Sequence, residues 1–283
     1  MNPLVSLITP FYDAMPYFRT YLACVLLQTW RPLEFIAVDD GSSDNSWECL
    51  MESMPELEKV GISVQALHID HGGQAAAVNA ALPLVSGEYI TWCDADDWMS
   101  PDCVSKKAEH LIRFPEQELV RSDGLVYDGD SGRLLAFSAR REDRRTQNIF
   151  DGLFFGTTYC YAGCYMGRAS SLFQAYPDRQ IPISPEGQNL QLLLPLASRS
   201  ECGFIPDVLH RYYRRSRGHS SKKLNFRSAY SRLSNFSALR RAIIPHCLCD
   251  AEYYIEEDRK LTADAQRALC NTVAAQVRKK MRT

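Results

Sequence analysis

Short apolar runs, rich in β-branched and aromatic residues, alternate with mixed polar stretches along the first third of the chain. Val5–Thr9, Leu33–Val38, Ser63–Ile69 and the run from Tyr89 that leads into Asp94 have the composition and bounded length of strands. The stretches between them carry helix signals. Pro16 opens a helix that runs towards Gln28-Thr29-Trp30 and is halted near Pro32. Ser43 or Asp44 caps a second helix, ending about Met54, and Gly72-Gly73 opens a third over Gln74–Leu82. Ser100-Pro101 starts a fourth that reaches about Phe114. Repeated β–α units with short turns predict an α/β fold built on a mostly parallel sheet flanked by helices.

The pattern changes after Glu118. Leu119–Tyr127 and Arg133–Ser138 read as strands around Asp128-Gly129-Asp130-Ser131-Gly132, which predicts a hairpin. Arg140–Arg145 is densely charged and is expected to be solvated. Beyond Lys222 the chain reads helical, with Phe226, Tyr230, Leu233, Phe236 and Leu239 at helical spacing, a stripe expected to pack on the main domain. The predicted organisation is an α/β domain over 1–221 and a C-terminal helical region over 222–283. The basic end, Val277–Arg282, reads as a solvated terminus, with contact to anionic lipid as the alternative.

A formal net charge of −2 supplies no global basic field, so nucleic acid is not an expected partner. The ten cysteines lack paired CxxC spacing, and Cys247 and Cys249 have no second half of a zinc site, so free thiols in a reducing compartment are expected. The N-terminus reads as a strand and not as a signal peptide, and no run of ~18 apolar residues marks a membrane span. A cytoplasmic protein is expected, with peripheral contact at the inner face of the membrane as an option and homo-oligomerisation left open.

Chemistry concentrates where strands end. The run Tyr89-Ile90-Thr91-Trp92-Cys93 leads into Asp94-Ala95-Asp96-Asp97, and Leu33–Val38 runs into Asp39-Asp40-Gly41. Closely spaced carboxylates repel one another, and burial makes that worse. A divalent cation relieves the repulsion, and carboxylate oxygens suit Mg²⁺ or Mn²⁺. The competing reading is a pair of solvated turns or helix caps. Two acidic strand ends in an α/β pattern favour one ligand crevice at the carboxyl ends of parallel strands.

Five separated motifs then stand in one order: Val5-Ser6-Leu7-Ile8-Thr9-Pro10-Phe11-Tyr12, Gln28-Thr29-Trp30, Glu34 to Asp44, His71-Gly72-Gly73 with Asn79, and Gly87-Glu88-Tyr89-Ile90 through Asp97. Together they resemble the family 2 glycosyltransferases of the GT-A fold, over roughly residues 3–220. The resemblance implies a Rossmann-like sheet whose 1–115 half binds a nucleotide-sugar and whose 116–221 half binds the acceptor. It implies donor contacts at Pro10, Tyr12, Asp40, Gly72, Gly73, Asn79, Asp94, Asp96 and Arg214. Within that set Asp40 recognises the uracil of a UDP-sugar, and Tyr12 offers the base an aromatic face unless it is a core or turn tyrosine. Gly72 and Gly73 let backbone approach the nucleotide, although turn formation explains them as well. Asp94-Ala95-Asp96 matches the family's DxD, with Asp96 and His219 as ligands of Mn²⁺ or Mg²⁺, Asp94 beside the ribose or a metal-bound water, and Asp97 capping the following turn. Arg211 to Ser221 reads as a charged loop and resembles a segment that closes over the diphosphate; a solvated basic loop with His219 merely exposed is the alternative.

The implied activity is metal-dependent, inverting transfer of a sugar from a UDP-sugar to a hydroxyl of a glycan or lipid-linked oligosaccharide acceptor. Bacterial-type surface polysaccharide synthesis is its common setting. The base is where the pattern departs. Gln188-Asn189 stand where the family carries Glu-Asp, Pro195 where it carries Arg, and Val78 where an Arg precedes Asn79. Amides are no bases, so Glu186, two residues earlier, is the candidate general base. Stabilisation of its charge by the helix dipole is the structural alternative. Two other functions compete. One is a non-catalytic nucleotide-sugar-binding protein. The other is a sugar-phosphate nucleotidyltransferase, which Pro10-Phe11-Tyr12-Asp13 opposes because that position lacks a Gly-rich, basic triphosphate loop.

Overall fold

Every residue of β1 (Val5–Phe11) and β2 (Leu33–Asp39) is buried, as required of strands covered on both faces. In the computed structural model, which describes residues 1–15, 17–215 and 225–280, these strands lie at the heart of one twisted sheet. β3 (Ile62–His68) pairs parallel with β2, and β4 (Tyr89–Trp92) pairs parallel with β1 on its other side. Alternate side chains divide the interior into two cores. Val5, Leu7 and Phe35 pack against α1 (Phe18–Leu26), α2 (Ser46–Lys59) and α4 (Cys103–Arg113). Ile8, Ile36 and Val38 face α3 (Gln74–Ala81), α5 (Phe150–Phe154), α6 (Ala169–Ala175) and α7 (Gln188–Ala197).

The remaining strands extend the same sheet. β8 (Tyr165–Arg168) pairs antiparallel with β4, and β6 (Leu119–Asp128) pairs antiparallel with β8. β9 (Cys202–Arg214) runs parallel to β6, and the two-residue β5 (Trp98–Met99) closes against it. β7 (Leu134–Phe137) forms the expected hairpin with β6. β4 is therefore an interior strand, and its acidic end is enclosed by both halves of the chain.

Several elements differ from the sequence-based expectation. β1 continues through Pro10 and Phe11 because Val38 and Asp39 still pair with them. Pro10 is tolerated there because β4 pairing stops at Trp92 opposite Ile8, so no neighbour on that side needs its N–H. The expected start of α1 at Pro16 lies outside the described residues. α2 passes Pro55 and reaches Lys59, since Leu50 and Leu57 are buried on either side of the missing hydrogen bond. Arg211–Arg214, read as the start of a charged loop, is the end of β9, paired with Leu125–Asp128. The charged segment 140–145 is partly buried: Arg121, fully enclosed, donates to the Asp143 and Thr146 carbonyls, and the Asp143 carboxylate lies 3.6 Å from it.

The C-terminal extension is α8 (Phe226–Ile243) followed by α9 (Ala251–Lys280). The Asn225 side chain caps α8 by accepting from the Ser228 amide at 2.9 Å. Leu239, Ile243 and Ile244 join the core beneath α7, whereas Phe226 and Tyr230 are 43% and 39% exposed. The aromatic stripe thus packs through its second half. Asp258 on α9 is completely buried and accepts from Ser237 Oγ at 2.5 Å and from Arg240 Nε at 2.7 Å. Among the described residues no helix is long and apolar enough to cross a membrane. The side chains of the basic end, Val277–Arg282, lie outside those described.

Asp258 couples α9 to α8 through a fully enclosed carboxylate paired with the largely buried Arg240 and Ser237. Asp258→Ala leaves a buried guanidinium uncompensated and is expected to lower the unfolding free energy by about 3 kcal/mol. Urea denaturation of the variant measures it; an unchanged midpoint would show that the helices hold together without this carboxylate.

Candidate active site at the carboxyl ends of β2 and β4

The polypeptide leaves β2 through Asp39 and Asp40, both buried. Asp39 Oδ1 accepts from the Ser42 amide at 2.9 Å, and its Oδ2 lies 2.8 Å from His68 Nδ1. Gly41 turns the chain with φ +75°, where a Cβ would stand 2.9 Å from the His71 nitrogen, so glycine is required. Asp40 then binds the loop that precedes α3: the Gly72 amide donates to Oδ1 at 2.8 Å and the Gly73 amide to Oδ2 at 2.9 Å. His71 Nδ1 lies 2.9 Å from the same carboxylate. Tyr12, 48% exposed, lies with its ring centroid 4.3 Å from that of His71. The expected donor residues Tyr12, Asp40, Gly72 and Gly73 are therefore contiguous. Oδ2 thus faces both the Gly73 amide and His71, whereas Oδ1 retains a second lone pair beyond its bond to the Gly72 amide.

A residue that sequence reasoning passed over ties this corner together. Asp13, at φ +44°, accepts from the Ser43 amide at 2.7 Å and so joins the loop after β1 to the loop after β2. Its carboxyl is held below the ordinary range by that backbone donor. Its charge, in turn, raises the neighbouring Tyr12 phenol.

The second corner lies beyond β4. Asp94 Oδ1 accepts from Gln74 Nε2 at 3.2 Å, which links it to the first turn of α3. Asp96 is ion-paired with Arg215, whose Nη2 also donates to the Asp96 carbonyl at 2.8 Å. Asp97 is buried; its Oδ1 accepts from the Tyr213 amide at 3.1 Å, and its Oδ2 lies 3.1 Å from His210 Nε2. Asp97 thus fastens β9 to the turn after β4. Burial raises all three carboxyls above the ordinary range. For Asp94 the charges of Asp97 and Asp96 add to the effect, whereas at Asp96 the Arg215 guanidinium opposes it. The three carboxylates are faced by one guanidinium, of Arg215, and by His210.

Other expected contacts have defined tasks. Asn79 is buried, and its amide clamps the Ile181 backbone, donating to the carbonyl at 3.0 Å and accepting from the amide at 2.7 Å. Those bonds hold its side chain against the Ile181 backbone. Arg214 is exposed beside Tyr161, and Arg215, not Arg214, engages the carboxylates. Arg214 is the last residue of β9, and Arg215 is the first beyond it. His219 lies outside the described residues. Among the described residues no group of three His, Cys, Asp or Glu side chains is arranged to hold a metal.

Before α7, Glu186 is buried and pairs with Arg232 Nε of α8 at 3.0 Å. Gly187 adopts φ +62°, with Phe236 and Leu239 of α8 packed within 3.4 Å of where a Cβ would be. Asn189, at the position where Asp was expected from the resemblance, bridges the two halves. Its Oδ1 accepts from Trp92 Nε1 at 2.8 Å, and its Nδ2 donates to the Cys160 carbonyl at 2.9 Å. A carboxylate can make the first bond but not the second.

Residues 6–173 match the family described as Glycosyl transferase family 2. The chain belongs to that family. An uncharacterized glycosyltransferase of Rickettsia felis is 32% identical over 131 residues, which is 45% of this chain and 19% of that protein. The chain therefore spans about a fifth of that relative's length. Among solved structures, S. aureus TarS 1–349 in complex with UDP-GlcNAc superposes with a TM-score of 0.69 at 17% identity, covering 93% of this chain and 74% of that one. The mannosyltransferase PcManGT from Pyrobaculum calidifontis, in complex with GDP-Man and Mn²⁺, gives 0.60 at 16% identity, covering 97% and 76%. These likenesses establish the GT-A fold, with its sheet flanked by helices and its C-terminal helical extension.

The bridging role of Asn189 in this family 2 chain is directly testable. Asn189→Asp removes the donor to Cys160 and sets two oxygens against each other. It is expected to cost about 1–3 kcal/mol of stability. An unshifted urea midpoint would mean that the bridge contributes nothing.

Proposed function

We propose that this chain is a metal-dependent, inverting glycosyltransferase that moves a sugar from a UDP-sugar to a hydroxyl of a glycan or lipid-linked oligosaccharide acceptor. The observation that carries the reading is the meeting of two acidic strand ends, Asp40 after β2 and Asp94 with Asp96 after β4, linked through α3 by Gly72, Gly73 and Gln74. Family membership supplies the chemical class.

The residues fit a divalent ion held jointly with a diphosphate. Asp94, Asp96 and Asp97 set three carboxylates within four residues, faced by the Arg215 guanidinium and His210. One or two carboxylates completed by substrate phosphates is the usual way to hold Mg²⁺. Asp96 and Asp94 are the residues that would hold it, and an ion bound there supplies stabilisation of the charge that develops on the leaving diphosphate. Tyr12, beside His71, offers the base an aromatic face, and the spare lone pair of Asp40 Oδ1 accepts from its imide. The loop of Gly72 and Gly73 brings backbone close to the nucleotide. Glu186, at the entrance to α7, takes the proton of the attacking hydroxyl once the acceptor draws it from Arg232. A single displacement inverts the anomeric centre.

A second reading has a specific observation behind it. Asn189 serves as a structural bridge and Glu186 is ion-paired, which favours a nucleotide-sugar-binding protein without transfer activity. The two readings separate by experiment. Calorimetric titration of UDP, with GDP and CDP as controls, is expected to reveal UDP binding that depends on Mn²⁺ and is lost in Asp96→Ala. Preference for GDP would move the donor assignment to a GDP-sugar, and binding of none of the three would remove the donor reading. Glu186→Gln is expected to retain UDP binding while transfer falls by about 10²-fold or more. Transfer at the wild-type rate in that variant would exclude Glu186 as the base.

A further inference from the structure

We propose that Arg215 is a displaceable counter-ion of Asp96, so that a divalent ion and this guanidinium compete for one carboxylate and the ion binds tightly only together with a nucleotide. The inference rests on the metal-dependent donor reading above and adds a residue and an order of events to it.

The geometry is specific. Arg215 follows the last residue of β9, whose pairing with β6 places Arg214 opposite Asp128. The Gly129 amide donates to the Arg214 carbonyl at 2.9 Å and fixes the strand end. From there the Arg215 side chain reaches a residue 119 positions away in sequence. Nη1 pairs with the Asp96 carboxylate and donates to the Tyr213 carbonyl at 3.2 Å, while Nη2 donates to the Asp96 carbonyl at 2.8 Å. The guanidinium carbon lies 3.7 Å from the ring centroid of Tyr17. Aromatic stacking and backbone acceptors thus hold the group at the rim whether or not the carboxylate bond is made.

The contact has a cost for a metal. Arg215 delivers one positive charge to a cluster of three carboxylates that lacks it, and it occupies an oxygen of the residue expected to ligate. A dication taking that oxygen would sit within a few ångströms of a cation, and the two repel. A bound diphosphate changes the balance. It brings negative charge to the same place and offers the guanidinium a bidentate partner in exchange for Asp96. Metal and nucleotide then favour each other's binding, by the same factor in each direction.

Mn²⁺ binding measured by electron paramagnetic resonance, with and without UDP, tests this on the full chain. Arg215→Gln is expected to bind Mn²⁺ alone about tenfold more tightly than wild type and to lose a comparable part of the gain that UDP confers. Arg215→Lys, which keeps the charge, is expected to stay within about twofold of wild type for Mn²⁺ alone. Equal Mn²⁺ affinity in wild type and the Gln variant, with UDP binding intact in both, overturns the counter-ion role and leaves the donor site standing. Equal tightening in the Lys and Gln variants also overturns it, since charge would then not matter. Failure of wild type to bind Mn²⁺ and UDP together overturns the donor reading and this inference with it.

Discussion

Three carboxylates at the end of one interior strand are the constraint around which this molecule is arranged. Asp94, Asp96 and Asp97 follow β4 directly, and burial raises the proton affinity of each. Charges in such a place require partners. The partners come from β9 and the residue just beyond it, more than a hundred residues later: the Tyr213 amide and His210 on Asp97, and Arg215 on Asp96. The long strand that completes the sheet is also the element that neutralises the site. Stability and site geometry therefore share the same bonds.

The first corner is built by a different device. Asp40 uses its carboxylate to fold a glycine loop onto the end of β2. That loop starts α3, and α3 presents Gln74 to Asp94. The two acidic strand ends are thus connected through one helix N-terminus. This is the place where an anionic ligand meets backbone amides in α/β folds. The arrangement explains why a nucleotide-diphosphate reading and a metal reading converge on one rim.

The surroundings of Glu186 depend on the C-terminal helices. Arg232, Phe236 and Leu239 of α8 wall in Glu186 and Gly187, and Asp258 of α9 holds α8 in place. The match to the family ends at residue 173, before any of these elements. Asn189 joins that wall to β4 through Trp92 and to the loop at Cys160. An amide suits that bridge because it offers one donor and one acceptor at once.

The parallel strands β1 to β4, the helices between them and the acidic strand ends were legible in the sequence. Each is a local pattern: apolar runs of strand length, a glycine or proline at the boundary, a carboxylate immediately beyond. β5, β8 and β9 were not legible as strands. Two of them are short, and the third hides its alternation beneath arginines and tyrosines that a linear reading takes for a solvated loop. The same limit decided Arg214 against Arg215. Composition marks both as phosphate ligands, but only the place where β9 ends, beside the turn after β4, determines that Arg215 and not Arg214 meets Asp96. The sequence by itself determined the family, the fold class and the carboxylates, because these follow from residue type and short-range spacing. Tertiary structure alone decided which charges meet, because pairing across 97 to 119 residues depends on sheet order and helix docking, and no local signal encodes those distances.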